Sequence, residues 1–323
     1  MPTVVVTGGA GFIGSHLCER FLREGWTVHI LDNLVTGKRE NVPPGATLHE
    51  VDIRDAKAAE IVASLGPDVL AHLAAQMDVR RSVEDPMYDA SVNVIGSLNL
   101  LEAVRKRSPG TRVVFASTGG ALYGDNTKPP NFEDFKKDPE SPYAITKLSV
   151  EYYLAYYGRV HKLDTVAMRF GNVYGPRQDP HGEAGVVAIF CGRILQGKAL
   201  TIYGDGQQTR DYVYVGDVAE ALWDAATKSL PAIGLLDARG FNVGTGLGTS
   251  VVELANILLE EAGTQVPIEF APKRPGEAQD SFVDIGKAER LLGWKPRVSL
   301  REGLAQSFRW AAERHAAAAG SRA

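Results

Sequence analysis

The sequence predicts an α/β fold, a doubly wound parallel sheet followed by a smaller C-terminal α/β substrate domain. Strand and helix patterns alternate through the first half of the 323-residue chain, which is typical of repeated βαβ units. The chain also begins with an apolar run, Val4 to Val6, that passes through a glycine cluster into a helix. Beyond residue 172 the alternation weakens, and glycines, prolines and shorter elements dominate.

The individual elements follow from apolar periodicity and turn residues. The predicted strands cover residues 4–6, 27–31, 48–51, 67–75 (a turn and a strand), 113–117 and 163–170. The predicted helices cover 12–24, 58–65, 89–107, 143–157, 251–261, 287–292 and 300–318, and the polar segment 119–142 is expected to be a surface lid. We place a nucleotide-binding domain at residues 1–173, with later segments near 212–250 returning to it, and a mainly substrate-binding domain at 174–323.

The composition limits the classes of partner. The formal net charge is −4, with 44% hydrophobic and 23% charged residues, so no global basic field would attract nucleic acid. No apolar run approaches the ~20 residues of a membrane span and the chain enters a strand at once, so we expect neither a membrane segment nor a signal sequence. The two cysteines, Cys18 and Cys191, have neither metal-ligand spacing nor a disulfide framework, which indicates a reducing cytoplasm and no metal site.

The glycine cluster after the first strand predicts a dinucleotide site. Its glycines satisfy both G-x-G-x-x-G (Gly9, Gly11, Gly14) and G-x-x-G-x-x-G (Gly8, Gly11, Gly14). Such glycines supply a tight turn, let a pyrophosphate approach bare backbone and let the helix pack closely on the strand. The phosphates would lie at the positive end of the helix that begins with Phe12 and Ile13.

Asp32 follows the second predicted strand, about 20 residues after the glycines. A carboxylate at this place in a Rossmann fold binds the hydroxyls of the adenosine ribose and repels a 2′-phosphate. The sequence therefore predicts NAD rather than NADP as the cofactor.

Tyr143 and Lys147 lie four residues apart on a predicted helix, so they share one face. A free tyrosine titrates near ~10, too high for a base at neutral pH. A lysine cation on the same face, together with the positive nicotinamide ring, would stabilise the phenolate. Tyr143 could then take the proton from a sugar hydroxyl while hydride passes to NAD.

With these motifs the chain resembles a known family, the extended short-chain dehydrogenases/reductases, and within it the nucleotide-sugar 4-epimerases of the UDP-glucose/UDP-galactose type. The resemblance covers nearly the whole chain and rests on segments 7–14 (TGGAGFIG), 32–33 (DN), 52–53 (DI), 72–75 (HLAA), 143–147 (YAITK), 169–176 (RFGNVYGP) and 208–215 (QTRDYVYV). It implies an isomerase that oxidises the sugar at C4, lets the 4-keto intermediate rotate and returns the hydride to the other face, with NAD retained. UDP-glucose and UDP-galactose would be interconverted.

Carried over to this chain, the resemblance implies specific contacts. The adenosine ribose would lie on Asp32 and Asn33, the adenine near Asp52 and Ile53, and the nicotinamide near Leu73, Ala74, Ala75, Asn93, Tyr143 and Lys147. The sugar nucleotide would contact Asn172 and the backbone near Val186 and Val187, with its uracil by Thr201 and Tyr203, its diphosphate on Arg210 and Arg274 and its ribose on Glu277. Arginines suit the diphosphate because a guanidinium group binds two phosphate oxygens at once.

Two positions depart from this pattern or extend it. Most such epimerases carry a Ser or Thr four residues before the Tyr-Gly of the fifth-strand motif, and here that position is Gly119. Either Thr118, which we favour, reaches the sugar O4 along a shifted backbone, with Ser117 as a structural or cofactor contact, or Tyr143 works with less help. The resemblance also implies that Ser281 lies beside the sugar C2 substituent, and a serine is small enough to admit an N-acetyl group, so the N-acetyl forms are also expected substrates.

Other functions stay open at this point. A UDP-glucuronate 4-epimerase or decarboxylase would need a cation for the sugar carboxylate, which Arg80 or Arg81 could supply, whereas a 4,6-dehydratase would need carboxylates that segment 117–120 lacks. A non-catalytic NAD-sensing protein is disfavoured by the intact Tyr143 and Lys147. By resemblance, helices 89–107 and 143–157 would pair with their copies in a homodimer, with Leu148, Tyr152 and Tyr156 on a buried face.

Overall fold

A parallel seven-stranded sheet is the main element of the computed structural model, which describes residues 1–180, 185–273 and 279–320. Its strands are β1 (Thr3–Thr7), β2 (Thr27–Asp32), β3 (Thr47–Glu50), β4 (Val69–His72), β5 (Arg112–Thr118), β6 (Asp164–Phe170) and β11 (Gly240–Val243). The smaller strands are β7 (Asn172–Tyr174), β8 (Leu200–Tyr203), β9 (Thr209–Arg210), β10 (Tyr212–Tyr214), β12 (Thr249–Ser250), β13 (Ile268–Ala271) and β14 (Asp280–Ser281).

The helices alternate with the strands in the first half and dominate the end of the chain. They are α1 (Phe12–Arg23), α2 (Ala56–Leu65), α3 (Val79–Glu84), α4 (Pro86–Ala90), α5 (Gly96–Arg107), α6 (Pro142–His161), α7 (Val186–Leu195), α8 (Val215–Thr227), α9 (Val251–Ala262), α10 (Gly286–Leu292) and α11 (Leu300–Gly320). A 3₁₀ turn covers Arg39–Asn41, and a π-helical segment, Ser91–Ile95, joins α4 to α5. Within the described ranges, no helix is both long and apolar enough to cross a membrane.

The order of the strands places a crevice at the carboxyl ends of the sheet. The order is β11-β6-β5-β4-β1-β2-β3, so the chain reverses its direction of travel between β1 and β4. In doubly wound sheets a ligand binds at the carboxyl ends of the strands beside this reversal. The predicted fold is therefore confirmed, and the glycine turn that follows β1 lies at the reversal.

Apolar side chains cover both faces of the sheet. On one face α1 and α8 pack with residues such as Phe21 and Leu222, and on the other α2, α5 and α6 pack with residues such as Val62, Leu101 and Val150. A third apolar cluster joins α7, α9 and α11 to β8. Helix α8 packs on the main sheet and strand β11 is part of it, although both come from residues beyond 212. The domain boundaries themselves remain a prediction.

Two predicted segments differ from the structure. The predicted helix 89–107 begins earlier, at Pro86, because Asp85 caps it through a 2.9 Å bond from Tyr88 N, and it is interrupted by the π segment. The segment 119–142 is not simply a surface lid, because Leu122, Tyr123, Asn131 and Glu133 in it are buried. Sequence patterning missed α3, α7 and α8, and it missed the strands that follow β6.

Part of the predicted dimer face is buried by other residues of the same chain. Leu148 packs against Leu122, Tyr123 and Val283. Tyr152 and Tyr156, by contrast, are 56% and 42% exposed in the single chain. Only the two tyrosines of the predicted stripe therefore remain on the outer surface of α6.

Candidate active site

In the turn between β1 and α1, backbone segments pack so closely that no side chain fits between them. Gly8 has a φ of +70°, and a Cβ there would lie 2.9 Å from the Ala74 nitrogen. A Cβ on Gly14 would lie 2.1 Å from the Gly8 carbonyl oxygen, so only glycine fits at both positions. Among the described residues no side chain caps α1 at Gly11, and the first turn carries no acid. The positive end of the helix is thus available to the phosphates of a dinucleotide.

Asp32 presents a carboxylate at the crevice end of β2. It accepts hydrogen bonds from Ala10 N at 3.0 Å and from Leu34 N at 2.9 Å, and it is buried. Burial raises the pKa of Asp32, and the two backbone donors oppose that rise. A Cβ on Gly37 would lie 2.6 Å from the carboxylate, so bare backbone passes beside it. A fixed acid next to the glycine turn fits the hydroxyls of a ribose.

The residues predicted at the adenine side lie together beyond β2 and β3. Asn33 Nδ2 donates to Asp52 Oδ2 at 2.9 Å. Two nitrogens of Arg54 donate to the two Asp52 oxygens at 2.9 Å each, which lowers the pKa of Asp52 to about 2. Ile53 is buried against Gly96, where a Cβ would lie 2.7 Å from the Ile53 side chain. Contact of this group with adenine remains a prediction.

A buried histidine holds the end of β4. Thr7 Oγ1 lies 2.7 Å from His72 Nδ1 and accepts hydrogen bonds from the backbone nitrogens of Leu73 and Ala74 at 3.2 and 3.1 Å. His72 Nε2 lies 2.8 Å from Ser97 Oγ, and burial lowers the pKa of His72 to about 3, so the ring is neutral at pH 7. The half-buried residues 73–75, which include Ala75, are thereby held beside the glycine turn.

Lys147 and Tyr143 share the inner face of α6, as predicted. The helix begins at Pro142, where Ser141 Oγ accepts a hydrogen bond from Ala144 N. Lys147 is 4% exposed, and its Nζ donates to the Ala116 carbonyl oxygen at 2.9 Å. The same Nζ lies 5.8 Å from the centre of the Tyr143 ring. Burial lowers the pKa of Lys147 to about 8, although the nearby carboxylates of Asp89 and Glu151 oppose that shift.

Asn93 organises a network that the sequence patterns did not reveal. Its Oδ1 accepts from Gln76 N at 2.8 Å, and its Nδ2 donates to Gln76 O at 2.9 Å and to Asp89 Oδ1 at 3.1 Å. Thr146, next to Lys147, donates to Asp89 Oδ2 at 2.7 Å. The π segment turns Asn93 into this network, which ties the loop after β4 to α6. Contact of Asn93 with nicotinamide remains a prediction.

The end of β5 explains why glycine occupies position 119. A Cβ there would lie 3.0 Å from both the Arg169 carbonyl oxygen and Val283 Cγ1, so a serine or threonine would be crowded. Ser117 Oγ donates to Glu151 Oε1 at 2.5 Å and is buried, which makes it a structural group. Thr118 is half-buried at the last position of the strand.

Two of the residues predicted to contact substrate meet around Gly120, and a third lies beside one of them. A Cβ on Gly120 would lie 3.8 Å from Asn172 Oδ1 and 3.9 Å from Ser281 Oγ. Strand β14 pairs with β9 so that Ser281 stands beside Arg210, whose Nη1 donates to Thr209 O at 2.8 Å. The structure thus gathers Asn172, Ser281 and Arg210 on the side of the crevice next to β5.

The remaining predicted contacts lie farther along the chain. Val186 and Val187 form the start of α7 behind Gly185, and Val187 is buried. Thr201 and Tyr203 are half-buried on β8. Arg274 and Glu277 lie outside the described residues. The predicted contact of these six residues with a sugar nucleotide remains a prediction.

Asp211 is a structural residue of the site that sequence reasoning missed. Its Oδ1 accepts from the nitrogen and the hydroxyl of Thr245 at 2.6 and 2.7 Å, and its Oδ2 accepts from Gly246 N at 3.2 Å and Val283 N at 3.3 Å. Its own backbone carbonyl accepts from Asn172 N at 2.6 Å. A charged residue inside an apolar strand pattern was the available signal. Asp211 fixes the segments that carry Asn172 and Ser281.

Replacing Lys147 by Met should stabilise the protein at neutral pH. The pKa of Lys147 is about 8 in the folded state against an ordinary value of 10.5, so the unfolded chain holds the proton more strongly. Below pH 8 Lys147 is charged in both the folded and the unfolded state, and its burial lowers the free energy of unfolding by the full amount. Between pH 8 and 10.5 the folded protein loses the Lys147 proton before the unfolded chain does, so the contribution of Lys147 to the free energy of unfolding rises with pH. The destabilisation by the buried ammonium group corresponds to about 3 kcal/mol. Allowing for the lost bond to Ala116, Lys147→Met should gain roughly 1–3 kcal/mol at pH 7.

Urea unfolding of the two proteins near neutral pH and near pH 10.5, without added nucleotide, measures this gain and its expected decline. Lys106→Met is the matched control, because Lys106 is a helical lysine that is 59% exposed. The control should show no such pH dependence. A difference in stability between Lys147→Met and the wild type that does not change between the two pH values would contradict the lowered pKa of Lys147.

Comparison with known proteins places this geometry in a family. The model of the NAD dependent epimerase/dehydratase family matches residues 4–244. A UDP-glucose 4-epimerase of Mycolicibacterium smegmatis is 44% identical over 308 residues, which cover 94% of this chain and 96% of that protein.

Two solved structures are similar along nearly their whole length. The UDP-glucose 4-epimerase of Thermotoga maritima with UDP-glucose has a TM-score of 0.91 and 44% identity, with 97% of this chain and 99% of that chain covered. The UDP-glucose 4-epimerase of Thermus thermophilus in complex with NAD has a TM-score of 0.87 and 46% identity, with 96% and 98% covered. This chain therefore belongs to the NAD dependent epimerase/dehydratase family.

Proposed function

We propose that this chain is a UDP-sugar 4-epimerase that interconverts UDP-glucose and UDP-galactose with NAD held through the cycle. One observation carries the proposal, the position of the buried Lys147 ammonium group. It donates to Ala116 O at 2.9 Å and lies 5.8 Å from the centre of the Tyr143 ring. Both residues lie near the carboxyl end of β5, in a sheet with the strand order of dinucleotide-binding folds. Similarity to UDP-glucose 4-epimerases over 94%, 97% and 96% of the chain supports the same substrate class.

In this proposal the chain's own residues move one proton and hold the sugar. Tyr143, as the phenolate, takes the proton of the sugar O4 hydroxyl, and the Lys147 ammonium group stabilises that phenolate electrostatically. Thr118 is the hydroxyl group offered to O4, because the hydroxyl of Ser117 is already bonded to Glu151. NAD, when bound, supplies the acceptor and donor of the C4 hydride. The 4-keto sugar turns over so that the opposite face of C4 points into the site, and Tyr143 then returns the proton to O4.

The phosphate and sugar ends of the substrate have separate binding groups. Arg210 lies beside Ser281 through the pairing of β9 with β14, so a diphosphate on its guanidinium group would direct the sugar toward Asn172 and Gly120. Thr201 and Tyr203 are proposed for the uracil. Val186 and Val187 are proposed for backbone contacts, and Arg274 and Glu277 for the diphosphate and the uridine ribose.

The alternative substrates have weaker support. Arg81, one candidate for a glucuronate carboxylate, lies over the Tyr88 ring at 4.1 Å from its centre. Its backbone nitrogen donates to the side chain of Asp78, which caps the short helix α3. This engagement beside Tyr88 gives Arg81 a structural role. UDP-glucuronate is therefore the comparison substrate in the test.

Purified protein incubated with UDP-galactose, without added NAD, should form UDP-glucose. Tyr143→Phe should lower kcat roughly 10²- to 10⁴-fold because it removes the proton acceptor. Tyr153→Phe is the matched control, since Tyr153 is on the same helix and 39% exposed, and it should keep wild-type activity. No UDP-glucose even with NAD supplied, together with turnover of UDP-glucuronate, would overturn the proposed substrate.

The small side chain at position 281 supports turnover of the N-acetyl sugars as well. Ser281 Oγ lies 3.4 Å from Gly120 O, and Gly120 has no side chain to fill the space beside it. The wild type should therefore epimerise UDP-N-acetylgalactosamine. Ser281→Tyr should lower this turnover at least ~10-fold and leave that of UDP-galactose within ~3-fold, whereas Ser281→Ala should retain both. A wild type inactive on the N-acetyl substrate would refute the prediction.

A homodimer through α6 and its neighbours is part of the proposal. Helix α6 packs beside α4 and the π segment, and apolar side chains on the outside of this group are exposed: Met87 83%, Ile95 57%, Ile145 51%, Tyr152 56% and Tyr156 42%. Exposed apolar side chains on elements that pack together are typical of a protein interface. A reducing cytoplasm is also proposed, since Cys18 and Cys191 are both buried free thiols.

Tyr152→Glu should convert the dimer to a monomer, because it places a charge in the middle of the proposed interface. Sedimentation velocity measures the change. Leu291→Glu is the control, since Leu291 is similarly apolar and 47% exposed but lies on α10. A monomeric wild type, or a Tyr152→Glu variant that stays dimeric, would rule out this interface.

A further inference from the structure

A buried guanidinium group lies behind the Tyr143–Lys147 face of α6. Arg169, on β6, is fully buried, and all of its nitrogens are bonded. Nε donates to both Glu151 oxygens at 3.1 Å, and Nη2 donates to Glu151 Oε2 at 2.6 Å and to Asp237 Oδ1 at 2.7 Å. Nη1 donates to Tyr123 OH at 3.2 Å and to Glu133 O at 2.9 Å. One side chain therefore joins α6, the segment 119–141 and the loop before β11.

Glu151 connects this group to the end of β5. It follows Lys147 by four residues, so Tyr143, Lys147 and Glu151 line one face of the helix. Lys147 bonds to Ala116 O, and Glu151 accepts from the hydroxyl of Ser117, the next residue of β5. Two successive turns of the helix are thus attached to two successive positions of the strand.

The same guanidinium group also holds the segment that leads away from Thr118. Tyr123, which accepts from Arg169, donates to Asn242 Oδ1 at 2.8 Å, and Glu133 Oε1 accepts from Asn242 N at 2.9 Å. The two glycines beside the proposed sugar site, Gly119 and Gly120, lie between Thr118 and this anchored part. This many directional hydrogen bonds define the relative positions of α6, β6 and the segment 119–141 more precisely than an apolar core of the same volume would.

We propose that Glu151, held in place by Arg169, is a positioning residue of the proton-transfer site. It sets the register between α6 and the end of β5, and so fixes where Lys147 and Thr118 stand relative to the sugar. Its negative charge, one helical turn from Lys147 on the same face of α6, also favours the ammonium form of Lys147. The effect on turnover rests on the epimerase activity proposed above, whereas the effect on Lys147 does not.

The charges around Lys147 give the direction of the effect. Asp89 faces it from α4 and Glu151 from its own helix, and both raise the pKa of Lys147 against burial. His72, from β4, is neutral because burial lowers its pKa to about 3, and Phe115 and Tyr143 present uncharged rings. Without the charge of Glu151, Asp89 would be the remaining carboxylate that raises the pKa of Lys147, and Arg169 would keep Asp237 as its charged partner. The proton of Lys147 would then be lost at lower pH.

Glu151→Gln tests the proposal in the NAD-bound enzyme with UDP-galactose. We expect kcat to fall ~10- to 100-fold with KM within ~2-fold, because the misplaced groups act on the reaction rather than on binding. The alkaline limb of the kcat profile should move about one pH unit lower. NMR titration of ¹³Cε-labelled lysine, with Lys147 assigned by Lys147→Arg, should show a shift in the same direction.

Two further variants separate positioning from stability. Asp164→Asn breaks the ion pairs of Asp164 with Arg112, 2.7 Å long, and with Arg239, at the ends of β5 and β6 that lie away from Thr118. It should therefore lower stability and leave kcat and the Lys147 titration unchanged. Ser117→Ala keeps the Glu151–Arg169 pair but cuts its link to β5. It should lower kcat ~3- to 10-fold without moving the Lys147 titration.

The proposal is overturned if Glu151→Gln leaves kcat and the Lys147 titration unchanged, or if Asp164→Asn changes them equally. If Glu151→Gln does not fold, an unaltered kcat in Ser117→Ala overturns the positioning role. A wild type without epimerase activity would defeat the proposed function instead, and the lysine titration would still decide whether Glu151 acts on Lys147.

Discussion

A charged lysine inside the protein is the constraint on which this site depends. An ammonium group that is 4% exposed loses most of its hydration, and oxygen atoms must replace the lost water. Ala116 supplies a carbonyl group, and Asp89 and Glu151 supply buried charge. Each carboxylate is held in turn by hydrogen bonds from neighbouring elements. The π segment, the ends of β4 and β5 and the inner face of α6 therefore take conformations that serve one cation.

The parts of the site that sequence could predict are those set by local spacing. The glycine turn, the acid after β2 and the Tyr143–Lys147 pair each need particular residues at a fixed separation, because one turn or one helix face determines the geometry. The main sheet was predictable for the same reason, since apolar runs and helical periods alternate with short connections. Gly119 was noticed only as a departure, and its crowded surroundings supply the reason.

The parts that sequence could not predict depend on partners far apart in the chain. Arg169 and Asp237 are 68 positions apart, and Asn93 and Thr146 are 53 apart, so no periodic pattern connects them. A polar segment can be buried when its side chains find such partners, as Tyr123 and Glu133 do with Asn242. Polarity alone therefore made segment 119–142 look like a lid, although part of it is interior.

The return of α8 and β11 to the main sheet has a consequence for synthesis on the ribosome. The apolar face that carries Phe21 is covered by Leu222 and by neighbouring residues as late as Trp294, and β6 is an uncovered edge until β11 pairs with it. A nascent chain that ends at residue 173 has all the motifs of the nucleotide site but an open apolar face and an unpaired strand edge. The nucleotide-binding half is thus completed only after most of the polypeptide has emerged, which makes the growing chain a natural client for chaperones that shield exposed apolar surface.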